Sequence, residues 1–93
     1  MSSIVEDPGK PKQTLTTQEY RDRLRELPPS AKLVAKILET DGPLSQGCLA
    51  EESLLPDRTV RYALNRLENA ELVDSRYSVQ DARKQVYSLT DRV

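Results

Sequence analysis

The N-terminal part of the chain is polar and aperiodic, and the first regular spacing of apolar residues follows it. Residues 1–14 contain two prolines, a glycine and several charged side chains, so we expect them to form a disordered tail. Beyond them, Tyr20, Leu24 and Leu27 lie at i, i+4 and i+7, which predicts a helix over residues 17–27 with one narrow apolar stripe. The pattern leaves open whether this stripe packs within its own domain or against a second copy in a homodimer.

Two further helices are predicted from the spread of apolar residues around the helix and from residues that start or stop helices. A helix from about Ser30 is ended by Gly42 and Pro43, and apolar residues cover more than half of its circumference. Such breadth is typical of the central helix of a small domain. A short third helix follows Ser45, a residue type that caps helix N-termini, and Pro56 stops it.

The clearest pattern covers residues 57–70, where one helical face is aliphatic and the opposite face is polar. The aliphatic residues lie at i, i+3, i+4 and i+7, which predicts one buried face. They are Val60, Ala63, Leu64 and Leu67. The opposite face and its flanks carry hydrogen-bond donors with reach, and no acidic side chain lies between residues 58 and 66. These residues are Arg58, Thr59, Arg61, Tyr62, Asn65 and Arg66.

After residue 71 the apolar period changes to two. Strands are predicted over residues 72–77 or 78 and over residues 85–89, joined by a polar connection that is too long for a two-residue turn. The chain therefore predicts one α+β domain over residues 15–93, with three to four helices followed by a β-hairpin.

The overall charge is near neutral, but the charges are unevenly placed. The 93 residues include 14 basic and 15 acidic side chains, and the net charge of −1 argues weakly against nucleic-acid binding on its own. Distribution matters more, because a near-neutral protein with local basic patches can still bind phosphates. One patch lies between residues 58 and 66. The second contains Arg76, Arg83 and Lys84 against a single acid.

Composition excludes several kinds of reaction centre. The chain has no histidine and one cysteine, so imidazole metal ligation and Ser-His or Cys-His nucleophile pairs cannot form, and no phosphate-binding glycine motif is present. We expect no enzyme activity, no metal and no cofactor, and no small-molecule ligand is evident. Cys48 is expected to be a small buried residue. No apolar run reaches the length of a membrane span, so we expect a cytoplasmic protein.

The order of these elements resembles the winged helix-turn-helix family over about residues 30–90, in particular the small archaeal regulators grouped with the MarR-like proteins. Residues 44–73 resemble the helix-turn-helix core, and residues 76–89 resemble the wing. The resemblance implies a sequence-specific transcription regulator whose helix 57–70 lies in the major groove of double-stranded DNA. The wing, residues 76–87, would then touch the backbone.

Two residues depart from the pattern of that family. It usually has glycine in the turn between the helices of the motif and again after the recognition helix, where this chain has Leu54 and Glu71. Because glycine supplies backbone conformations with positive φ, its replacement predicts either different turns or strained ones.

The polar face of helix 57–70 suits DNA, but other partners stay open. Arginine and asparagine can read acceptors on base edges in the major groove, while Thr59 near the helix start can bind a phosphate oxygen. Arg76, Arg83 and Lys84 are expected on the backbone. Tyr62 could stack on sugar-phosphate or pack on the wing. The alternatives are a solvated charged face, a protein-interaction module in a larger complex, and a structured-RNA binder.

Overall fold

The computed structural model of the protein describes residues 15–78 and 84–91, and within them it contains four helices and three strands. The elements are α1 (Thr17–Arg25), α2 (Pro29–Asp41), β1 (Leu44–Ser45), α3 (Gln46–Ser53), α4 (Asp57–Asn69), β2 (Val73–Tyr77) and β3 (Gln85–Leu89). The strands form one antiparallel sheet in the order β1-β3-β2. The helices thus precede a hairpin, as predicted, and β1 adds a third strand to it.

Helix starts follow the local signals in the sequence. The Oγ1 atom of Thr16 accepts a hydrogen bond from the backbone N–H of Glu19 at 3.0 Å, and Oε1 of Glu19 accepts one from the backbone N–H of Thr16 at 2.9 Å. This capping box satisfies two donors at the start of α1. Ser45 caps α3 in the same manner, with its Oγ accepting from the N–H of Cys48 at 3.2 Å.

Three helix bounds differ slightly from the predicted ones. α1 ends at Arg25, two residues earlier than expected, α2 begins at Pro29, and α4 ends at Asn69, one residue early. Proline suits the first position of a helix because the N–H that it lacks has no intrahelical partner there. Pro29 therefore starts one helix as well as ending the preceding segment.

The core lies between α2, α4 and the sheet. The predicted aliphatic face of α4 is confirmed, since Val60, Ala63, Leu64 and Leu67 are all at most 1% exposed. α2 is the central helix, and its buried residues are Ala31, Val34, Ala35 and Leu38. With both helices anchored in this way, the opposite face of α4 has a fixed orientation relative to the sheet.

The apolar stripe of α1 packs inside its own domain. Tyr20, Leu24 and Leu27 are 2%, 9% and 8% exposed and belong to the single core cluster. The Tyr20 hydroxyl also donates a hydrogen bond to Glu39 on α2 at 2.7 Å. A homodimer contact through these three side chains is therefore wrong, because the domain itself already shields them from water. The homodimer itself stays a prediction.

Leu54 and Glu71 keep the backbone conformation that the resemblance assigns to glycine at these positions. Their φ angles are 62° and 64°, both in the left-handed region. The turns therefore have the positive φ that glycine usually supplies, and they are strained at a cost of roughly 1–2 kcal/mol for each residue that carries a Cβ there. The backbone carbonyl of Glu71 accepts a hydrogen bond from Oγ1 of Thr90 at 3.0 Å. The side-chain carboxylate of Glu71 forms an ion pair with Arg23 at 3.2 Å.

Some predictions lie outside the described residues. They are the disordered tail over residues 1–14 and the position of Arg83 in the wing connection. Within the described part of the chain, none of the helices is both long and apolar enough to cross a membrane.

Candidate nucleic-acid interface

The outer face of α4 carries six of the nine predicted site residues. Arg58, Arg61 and Asn65 are exposed and Tyr62 is 48% exposed. Thr59 and Arg66 flank them and are half-buried. Because the inner face of the same helix is in the core, these side chains project from one rigid element. The helical period alone was sufficient to predict this grouping.

The wing carries two more of the predicted residues. Arg76 on β2 pairs with Val86 on β3, and both Arg76 and Lys84 are exposed. The backbone N–H of Ser78 donates to the carbonyl of Lys84 at 2.8 Å, which continues the ladder beyond the ends of the two strands. The antiparallel register therefore places both cations on the same hairpin.

Tyr62 and Arg66 contact each other, which the sequence analysis did not predict. Nη1 of Arg66 donates a hydrogen bond to the Tyr62 hydroxyl at 2.9 Å. The guanidinium carbon lies 5.8 Å from the centre of the Tyr62 ring, near the outer limit of a cation–π contact. The two residues are one helical turn apart, a spacing at which side chains meet on a helix surface. That spacing was the available signal.

Tyr87 in β3 couples the wing electrostatically to α4. Burial raises the pKa of its hydroxyl above the ordinary value, the negative charge of Glu68 raises that pKa further, and the positive charge of Arg61 lowers it. Two charged residues of α4 therefore act on the middle strand of the sheet. The Tyr87 hydroxyl stays protonated at neutral pH.

Two exposed side chains were missed or misjudged by the sequence analysis. Tyr77, at the end of β2, is exposed on the wing and was not proposed for the site. An aromatic residue bordering a polar connection was the signal for it. Cys48 was expected to be buried and is exposed, because Leu49 and Ser53 supply the inward side of α3 instead.

A separate groove lies between α1 and α2. It has a volume of about 320 Å³, and Tyr20 and Leu24 form part of its lining. Its basic residues are Arg21, Arg25, Lys32 and Lys36. Among the residues that the structure describes, none from α4 or the wing lines this groove, so its cations are not part of the candidate interface. Within residues 15–78 and 84–91, no group of three or more acidic, histidine or cysteine side chains could hold a metal ion.

Comparison with known proteins identifies the fold through solved structures. No protein-family model matches the sequence, and no curated protein matches it. The structure of reduced AbfR bound to DNA is 26% identical with a TM-score of 0.64, and the match covers 80% of this chain and 55% of AbfR. PcaV from Streptomyces coelicolor, in complex with its natural ligand, is 24% identical with a TM-score of 0.67, covering 80% of this chain and 53% of PcaV.

A third match carries the family name. It is a MarR family transcription regulator, 20% identical with a TM-score of 0.67, and the match covers 81% of this chain and 50% of the regulator. The present chain thus spans about half the length of the solved structures that it matches. These neighbours are transcription regulators rather than enzymes. An archaeal origin stays a prediction.

The order of the elements agrees with these matches. α3 and α4 form the helix-turn-helix, β2 and β3 form the wing, and β1 completes the sheet. The chain has the winged helix-turn-helix fold of the MarR-family transcription regulators.

Proposed function

We propose that the protein binds double-stranded DNA as a sequence-specific transcription regulator, with α4 in the major groove and the wing on the adjoining backbone. One observation carries the proposal: the outer face of α4 presents exposed donors, while its opposite face is fully buried. A major groove admits a single α-helix, and its base edges offer acceptors to arginine and asparagine. α4 meets both requirements.

The position of each side chain along α4 suggests its role. In helix-turn-helix proteins the N-terminal part of the recognition helix contacts base edges. Arg58 and Arg61 lie in the first turns of α4, and Asn65 follows on the same face one turn later. We assign base contacts to these three residues. Thr59 beside them is suited to a phosphate oxygen at the helix N-terminus.

The wing residues are suited to the backbone. Arg76 and Lys84 are exposed cations on a hairpin, and Arg83 lies between the strands in sequence. Backbone contacts fix the register of a protein on the duplex without reading its sequence. The structure of AbfR bound to DNA supports DNA as the partner for this fold.

Charge favours DNA over the other partners. A protein-interaction module would be better served by an acidic or apolar face, and residues 58–66 contain three arginines and no acid. Structured RNA is the other nucleic-acid partner that the experiment below tests. The deep major groove of an A-form helix is too narrow for side chains to read, so a reading helix such as α4 suits B-form DNA.

The test is selection of bound duplexes from a random pool, followed by titration of the selected duplex and of a matched RNA duplex. If about five phosphates are neutralised, log K should fall with log salt concentration at a slope of about −4 to −5. Arg21→Ala is a matched control for Arg61→Ala, because both remove one exposed arginine and Arg21 lies on the groove between α1 and α2. Absence of binding to any duplex at low salt would refute the proposal, and tighter binding of the RNA duplex than of the DNA duplex would favour RNA.

A further inference from the structure

We propose that Tyr62 and Arg66 act as one unit that binds a single phosphate of the DNA backbone. The pair would hold α4 in place, and base reading would be left to Arg58, Arg61 and Asn65. This inference rests on the proposed function and assigns a role within the same face of α4.

The hydrogen bond between the two side chains leaves the unit with unused donors. The Tyr62 hydroxyl accepts from Nη1 of Arg66, so its own O–H is still able to donate. A guanidinium has five N–H donors, of which this bond uses one. Donation from the cation also polarises the phenol, which strengthens the O–H as a donor. A phosphate oxygen, which is an acceptor with negative charge, is the complementary ligand.

The restraint on Arg66 distinguishes it from the other arginines of α4. Within the described residues, Arg58 and Arg61 make no hydrogen bond or ion pair, whereas Arg66 is half-buried and bonded to Tyr62. A guanine contact requires a guanidinium that can align two N–H groups with one base edge. The bond to Tyr62 restricts the movement of Arg66 toward such an edge, and a guanidinium that is already held loses less conformational entropy on binding a nearby phosphate.

The location of Arg66 along the helix favours the same role. It lies in the last turn of α4. At 1.5 Å per residue it is about 12 Å along the axis from Arg58. Unlike the neighbouring Asn65, which is exposed, Arg66 is half-buried at the flank of the outer face. The flank of the groove is lined by phosphates. The pair therefore meets the backbone rather than the bases.

The experiment compares Tyr62→Phe, Arg66→Ala and the double variant of the full chain on the selected duplex and on an unrelated duplex. Tyr62→Phe removes one hydroxyl and should weaken binding to both duplexes alike, by about 3-fold to 10-fold. Its salt slope should stay unchanged because no charge is lost, whereas Arg66→Ala should flatten the slope by about 0.9. The double variant should bind about as weakly as Arg66→Ala alone, because the two groups act together.

Asn65→Ala is the control for reading, and its loss should be confined to the selected duplex. Thermal melting of each variant checks that the half-exposed Tyr62 is not needed for folding. The proposal that the two residues act as one unit would be refuted by a changed base preference in Tyr62→Phe. It would also be refuted if the double variant lost affinity by the product of the two single-variant factors. Binding by the wild type with no effect of Tyr62→Phe overturns this inference alone. No duplex binding by the wild type overturns the proposed function.

Discussion

Replacing Leu54 with glycine should stabilise the protein, although it removes an apolar side chain. Leu54 ends α3 with φ 62° and ψ 23°, and its backbone N–H donates to the carbonyl of Ala50 at 2.9 Å. A change of φ at Leu54 would redirect the chain that enters α4 three residues later at Asp57, so the packing of α4 holds this conformation. The side chain is 89% exposed, so its removal costs little burial.

The expected gain is the difference between two opposing terms. A residue with a Cβ in the left-handed region costs about 1–2 kcal/mol, and glycine relieves that cost. Glycine also makes the unfolded chain more flexible, which costs roughly 0.5–1 kcal/mol. The midpoints of these two ranges leave a net stabilisation of about 0.75 kcal/mol. For a domain of this size it corresponds to a rise in Tm of about 3–6 °C.

The measurement is thermal and urea unfolding of the wild type, Leu54→Gly and Leu54→Ala. Alanine keeps the Cβ and therefore the strain, so Leu54→Ala should lie within about 0.5 kcal/mol of the wild type. The order of stability should be glycine above alanine and wild type. If Leu54→Gly is no more stable than Leu54→Ala, then the turn is not strained and the reasoning from φ is refuted.

Three further results are expected. Leu24→Glu buries a charge in the core and should unfold the domain, as measured by far-UV circular dichroism. The control Leu33→Glu changes an exposed site on α2 and should stay folded. A folded Leu24→Glu would contradict the packing of α1. Arg61→Ala should cost about 1–3 kcal/mol of binding free energy on the preferred duplex and reduce the preference for its bases, while Lys84→Ala should weaken binding to all duplexes alike. If both variants lose equal affinity on every duplex, then α4 does not read bases. The pKa of Tyr87 is raised in the folded protein, so the stability that this residue contributes is complete below about pH 10 and is lost as the pH rises through the folded pKa. In urea unfolding at increasing alkaline pH, Tyr87→Phe should therefore lose less free energy of unfolding than the wild type. An identical loss in both proteins would argue against the shift.

Local signals account for the parts of the structure that were predicted well. The cap at Ser45 depends on a residue three positions away, and the buried face of α4 depends on the helical period. Interactions of such short range are visible in the sequence itself. The same period necessarily placed the polar residues of α4 on the opposite face, so most of the candidate site was predicted with it.

The tertiary structure decided what depends on residues far apart in the chain. The sequence pattern of α1 could not show whether its apolar stripe packs within its own domain, because Tyr20 contacts Glu39 only when α2 packs against α1. The strained turns at Leu54 and Glu71 likewise depend on distant packing, since a local preference alone would avoid positive φ for a residue with a Cβ. Long-range burial in one shared core outweighs a local cost of that size. The sequence by itself therefore determined the elements and the polar face of α4, and the packing of the core determined which faces remained for a partner.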